Sequence, residues 1–150
     1  MWEYLQKERK IITRWILCQE TWADNPAHMT CIKLIETIKN SLRNRIPGVI
    51  GNPDCRYTHS SVLIPLLCRN GEFSVLLTRR TDRVEHHKGQ ISFPGGAVDK
   101  TDSSFEETAL REAHEEIGLL KGDVEILGRI DDELAVVSNF IIHPFVGKIP

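Results

Sequence analysis

No stretch of the chain is apolar for long enough to cross a bilayer. The longest such run, Val62 to Cys68, is a third of the roughly 20 residues that a spanning helix needs, so nothing in it reads as a membrane segment. A charge excess is missing too. Nineteen basic and 21 acidic residues leave a formal charge of −2. With no aromatic–basic interleaving and no recognised module, nucleic acid is not an expected partner. There is no CxxC pair. Cys18, Cys31, Cys55 and Cys68 are scattered, which argues against a zinc knuckle and predicts reduced thiols in an intracellular, cytoplasmic protein. Cys68, at the end of an apolar pattern, reads as a small core hydrophobe. The N-terminal MWEYLQKERKIITRW mixes both charge signs and has no uninterrupted apolar core, so it is not a secretory signal. Its aromatic and basic residues leave an organelle-targeting role open. Internal repeats and low-complexity tracts are also absent.

The 150 residues suit one domain with a substantial core. Residues 1–27 read as an N-terminal extension and 28–150 as the domain. A loose helical pattern over 1–24 breaks at Asp24-Asn25-Pro26. A better one runs over 30–44, where Ile32, Leu34, Ile35, Ile38 and Leu42 recur at helical spacing. These N-terminal helices offer either a homodimer contact or a cap on the domain. Pro47-Gly48 and Gly51-Asn52-Pro53 form a linker. From Ser60 the pattern becomes strand-like. SVLIPLLC and FSVLLTRR flank Arg69-Asn70-Gly71-Glu72, a hairpin signal, and Pro65 demotes the first strand toward an edge or a bulge. A polar loop, Thr81 to Gln90, leads to Ile91-Ser92-Phe93 and a Pro-Gly-Gly turn. A helix follows, opened by a capping box at Ser103/Glu106 or Ser104/Glu107 and closed at Gly118. Its buried stripe is Phe105, Ala109, Leu110, Ala113 and Ile117. Residues 124–130 and 134–146 read as two more strands. The chain stops at Pro150 with no partner strand after it, which predicts a sheet with an open edge or a missing piece.

The chemistry concentrates in residues 93–119, FPGGAVDKTDSSFEETALREAHEEIGL. Glu112, Glu115 and Glu116 fall within an arc of roughly 100° on a 3.6-residue helix. They lie beside the apolar stripe, where the helix can face a cleft. A hard divalent cation needs such oxygen ligands at close range, and glycine upstream lets backbone approach a ligand closely. Arg79, Arg80 and Lys88 can grip phosphates, since arginine offers a bidentate fork.

This pattern of glycine, a spaced acid, then Arg-Glu-apolar-x-Glu-Glu-x-Gly-apolar resembles the Nudix box. Its second half, Arg111 to Leu119, matches at every defined position. The first half is one residue longer than usual, so the acid position falls on Asp102 or Ser103 depending on the end counted from. That expansion is similar to the coenzyme A pyrophosphatase branch of the Nudix family. So are Leu76-Leu77-Thr78-Arg79-Arg80-Thr81, His87-Lys88-Gly89-Gln90, Phe93-Pro94-Gly95-Gly96, Ser138-Asn139-Phe140 and Pro144-Phe145-Val146-Gly147. The branch usually has arginine where this chain has Glu85. The likeness covers roughly residues 60–150.

The resemblance implies an α/β fold, a Nudix-type α/β/α sandwich with a mixed sheet, short at the C-terminus. It implies hydrolysis of the pyrophosphate bond in a small-molecule nucleotide, with Mg2+ or Mn2+ as cofactor. For coenzyme A the products are phosphopantetheine and 3′,5′-ADP. Glu112 and Glu116 are the first choice of metal ligands, joined by a carbonyl near Gly95 or Gly96. Glu115 takes a second ion or holds ligand waters. The general base is Glu112 or a carboxylate from a later loop, and Arg111 pairs with acids and orients the helix. Arg79, Arg80, His87, Gly89 and Gln90 are the substrate-binding candidates. Two alternatives stand beside coenzyme A: another substrate such as an ADP-sugar, dinucleotide or damaged nucleotide, or an inactive module that binds without turnover.

Overall fold

A computed structural model describes residues 31–69, 71–79 and 90–150. The pattern over 1–24, together with Arg80, Glu85, His87, Lys88 and Gly89, lies outside them. The helix expected at 30–44 is α1, Cys31–Arg43. A six-stranded sheet is built around two long strands, β1 (Thr58–Arg69) and β8 (Phe140–Ile149), which pair in parallel. On the outer side of β1 lie β2 (Glu72–Val75) and β5 (Gly95–Ala97), and on the outer side of β8 lie β6 (Glu125–Arg129) and β7 (Glu133–Ala135), all antiparallel. The sheet is therefore mixed. A separate two-stranded ribbon joins β3 (Thr78–Arg79) to β4 (Ile91–Ser92).

Alternation along β1 and β8 gives the sheet two apolar faces, since successive strand residues point to opposite sides. Leu63, Leu67, Phe145 and Ile149 meet Ala109 and Ala113 of α2 (Phe105–Ile117) on one face. Leu66 and Val146 meet Ile35 of α1 on the other, with Leu127 beside them. Two helices on opposite faces of a mixed sheet make the expected α/β/α sandwich. Gly128 lets α1 come close, because a Cβ there would sit 2.6 Å from Leu42 Cβ. No helix among the described residues is long and apolar enough to cross a membrane.

Three local expectations are corrected. Pro65 lies in a central strand, not at an edge. Its ring replaces an N–H on the side facing β2 and β5, at the gap between them, where Leu63 N–H reaches Pro94 O and Leu76 N–H reaches Pro65 O. The missing donor therefore breaks no ladder bond. The strand expected over 134–146 is interrupted by a 3-10 turn at Val136–Ser138 and by Asn139 at φ 58°, a left-handed position that asparagine tolerates. Finally, Cys31 and Cys68 are joined as a disulfide across the α1–β1 contact, with Cα atoms 6.0 Å apart. They are 37 residues apart on different elements, so no local spacing announces the pair. Cys55 is exposed and unpaired.

Candidate active site

Helix α2 starts and stops as its sequence directs. Ser104 is the N-cap and accepts from Glu107 N–H, and Glu107 reaches back to the N–H and hydroxyl of Ser103. At the other end Gly118 adopts φ 72° and donates to His114 O. The strand β5 that precedes α2 pairs with Ser60–Val62 of β1, and α2 covers that same region of the sheet through Ala109 and Ala113. The Gly95-Gly96 backbone is thereby held between β1 and Glu112 of α2.

The fit there depends on glycine. A Cβ on Gly96 would lie 2.5 Å from Glu112 Cδ and 2.6 and 2.7 Å from its two carboxylate oxygens. The Glu112 carboxylate thus occupies the space a side chain would fill. One turn later, Glu116 Oε2 accepts from Gly95 N–H at 3.4 Å. Arg111 ties the acids together. Its Nε and Nη2 bind Asp102 Oδ1 and Oδ2 at 2.9 and 3.0 Å, its Nη1 donates to Glu112 Oε1 at 2.7 Å and to Glu115 Oε1 at 3.4 Å, and Nη2 also reaches Ala97 O.

The two-pronged contact with Asp102 is the strongest kind of charge-assisted pair. Hydrogen bonding from Arg111 holds the Asp102 carboxyl far below the usual carboxylate range, against a burial effect that would raise it, and Asp102 in turn raises the Arg111 guanidinium. Of the two residues that the spacing leaves at the acid position, Asp102 meets the arginine, while Ser103 turns to Glu107. Asp99 shapes the loop by accepting from the N–H and hydroxyl of Thr101.

Arg111, Glu112, Glu115, Glu116, Gly95 and Gly96 are thus brought together. Among the described residues, no three His, Cys, Asp or Glu side chains converge as a ready-made cation cage. Arg79 is exposed on β3 and Gln90 is exposed just before β4. Arg79 pairs with Ile91, the residue that follows Gln90. Arg80, His87 and Gly89 fall outside the described residues.

Two features have no counterpart in the sequence reading. Thr108 is fully buried and donates to Asp102 Oδ2 at 2.8 Å. Its position one turn before Arg111 on the same helix face is the signal that could have found it. The second is a polar chain beneath the start of α2, buried at Asp132 and His143 and half-buried at His59 and Asn52. His143 Nδ1 lies 2.8 Å from Asp132 Oδ1, and His143 Nε2 lies 2.8 Å from His59 Nδ1. Asn52 Nδ2 faces His59 Nε2 at 3.3 Å. Asn52 is held in that orientation because its amide also donates to Tyr57 O and accepts from Tyr57 N–H. The partners assign the tautomers: with Asp132 ionised, Nδ1 of each ring is the donor and Nε2 of each ring the acceptor. Burial pushes the His143 pKa down, while Asp132 works against that. Phe105, the first residue of α2, stacks on His143 at a centroid distance of 3.6 Å.

With this geometry in view, the comparison with known sequences is decisive at the family level: a model of the NUDIX domain matches residues 57–146. The chain belongs to the Nudix family. It is 48% identical over 92 residues to the uncharacterized Nudix hydrolase NudL of Yersinia enterocolitica, a match covering 61% of this chain and 46% of that protein. To NudL of Yersinia pestis it is 40% identical over 117 residues, covering 71% and 58%. The chain spans about half the length of the curated relatives it matches. Among solved structures, the Nudix hydrolase RenU of M. smegmatis aligns with a TM-score of 0.50 at 21% identity, over 63% of this chain and 61% of that one. A mutT/nudix family protein from Listeria innocua gives 0.50 at 24%, over 71% and 68%. At these identities the likeness concerns the Nudix fold alone.

Proposed function

We propose that this Nudix chain hydrolyses the pyrophosphate bond of a nucleoside diphosphate derivative with a divalent cation, and that coenzyme A or an acyl-CoA is its substrate. The observation that carries the reading is the contact between the Gly96 backbone and the Glu112 carboxylate, one turn from Glu116. The donor set consists of carboxylate and carbonyl oxygens, with no thiolate or imidazole among them, and so fits a hard cation such as Mg2+ or Mn2+. Glu112 and Glu116 would hold the ion with the Gly96 carbonyl, and Glu115 would take a second ion or its waters. Bound there, the cation would neutralise phosphate oxygens and acidify water. The chain's own residues supply the rest. Glycine keeps the turn open to the substrate, Glu112 or a carboxylate from a later loop would accept a proton, and Arg111 holds the first two glutamates while gripping Asp102. Arg79, Arg80, His87, Gly89 and Gln90 are assigned to the phosphate and nucleotide.

The test is incubation with coenzyme A and Mg2+. Release of 3′,5′-ADP and phosphopantetheine, abolished by Glu116→Gln, is the expected result. Cleavage of an ADP-sugar or dinucleotide instead would retain the reaction and change the substrate. Full metal-dependent activity in Glu116→Gln would remove Glu116 from the ligand set. The alternative to turnover is binding alone. It predicts nucleotide binding in Mg2+ with no product from any member of a substrate panel.

A further inference from the structure

Helix α2 carries two side chains that reach the same carboxylate. Thr108 and Arg111, three residues apart and hence on one face, both bind Asp102, which belongs to the loop before the helix. The Asp102 side chain is only 2% exposed, so its lone pairs must be satisfied by protein donors. Oδ1 accepts from Arg111 Nε at 2.9 Å. Oδ2 accepts from Thr108 Oγ1 at 2.8 Å, Asp99 N–H at 2.9 Å and Arg111 Nη2 at 3.0 Å. The Thr108 hydroxyl has one proton and a second neighbour, Ser104 O at 3.3 Å, which already receives the Thr108 N–H at 3.1 Å. The closer, ionised acceptor takes the proton.

Among the described residues, Thr108 is the one helical residue other than the arginine that binds this carboxylate. Without it Asp102 would be set only by the loop and by Arg111 itself. The arginine would then hold Glu112 and Glu115 against Ala97 O and a carboxylate anchored only through Asp99 N–H of the loop, with no tie from the helix itself. We infer that Thr108 is a positioning residue: it locks Asp102, which aims the Arg111 guanidinium at the glutamates of the reaction site. The inference rests on the hydrolase reading for its effect on rate, but not for its effect on the arginine.

Thr108→Val keeps the shape and removes the donor, while Thr108→Ser restores the donor. Thr108→Val should lower kcat by about 10- to 100-fold, the usual size for a residue supporting active-site ligands, with KM for the nucleotide nearly unchanged. Thr108→Ser should recover most of the rate. Independently of activity, the Arg111 Nε–H proton, assigned by its loss in Arg111→Lys, should exchange slowly with water in the unaltered chain and in Thr108→Ser. In Thr108→Val it should exchange about tenfold faster or broaden away, as expected when a hydrogen bond to a buried charge is weakened. The exchange result holds even for a chain that proves not to hydrolyse anything, which separates this inference from the hydrolase reading. Wild-type kcat together with an unchanged Arg111 signal in folded Thr108→Val would overturn it, as would Thr108→Ser behaving like Thr108→Val. If Thr108→Val fails to fold, Thr108→Ala takes its place. Failure of both while Thr108→Ser folds would assign Thr108 to stability and equally overturn the inference.

Discussion

Gly96→Ala separates activity from stability. The added methyl would stand 2.5 Å from Glu112 Cδ, whereas ordinary contacts to a Cβ begin at 3.4 Å, so the carboxylate must retreat by about 0.9 Å, the difference between the two. What must move is the far end of a flexible side chain, and Gly96 is not in the left-handed region, so the backbone accepts alanine. The fold should lose about 1 kcal/mol or less, a shift in Tm of a few degrees. The same displacement takes Glu112 out of register with the Gly96 carbonyl and disturbs its 2.7 Å pair with Arg111. A misplacement of about 1 Å in a reacting constellation can cost on the order of 100-fold, equivalent to about 2.7 kcal/mol of barrier. Steady-state hydrolysis at saturating Mg2+, beside a thermal melt, reads both quantities. Near-normal kcat in the folded variant would refute the placement of Glu112 in the machinery. A large drop in Tm would refute the claim that only a side-chain tip is displaced.

The neighbouring Gly95→Ala should behave oppositely. Its Cβ would meet the Ser61 carbonyl and lie 2.6 and 2.7 Å from Val62 Cγ1 and Cα, so β5 would have to leave β1, and circular dichroism and melting should report a protein that is unfolded or severely destabilised. Acid should weaken the fold through His143. Its folded pKa lies below the usual histidine value because of burial, so the unfolded chain binds the extra proton first. Stability should be level above about pH 6.5 and fall below it, by up to about 1.4 kcal/mol per pH unit for one proton. Denaturant titrations between pH 5 and 8 should show this slope, and His143→Gln should remove one proton's worth of it. An unchanged slope would disprove the assignment.

Much of the fold and of the site is legible in local patterns. The ends of α2 follow from Ser104 and Gly118, and the acidic turn follows from helical spacing, because these depend on residues within a turn of each other. What the sequence hides is made by distant partners. Cys31–Cys68 and the His59–His143–Asp132 chain join residues that only the packing of α1, the parallel β1–β8 pairing and the antiparallel pairing of β6 and β7 with β8 bring together. Thr108 looks like an ordinary helical polar residue until the loop folds Asp102 onto it. Pro65 misleads for a related reason: proline disfavours a central strand unless its missing donor faces a gap, and that gap exists only because two short strands share one side of β1.

The central claim, that Glu112 and Glu116 hold a divalent cation against the glycine turn, is tested most directly by anomalous diffraction from a manganese-soaked crystal. The account predicts a peak about 2.1 Å from carboxylate oxygens of both residues, beside the Gly96 carbonyl, and its loss in Glu116→Gln. Metal-dependent hydrolysis by a crystal form whose only manganese peak lies away from both glutamates would contradict it.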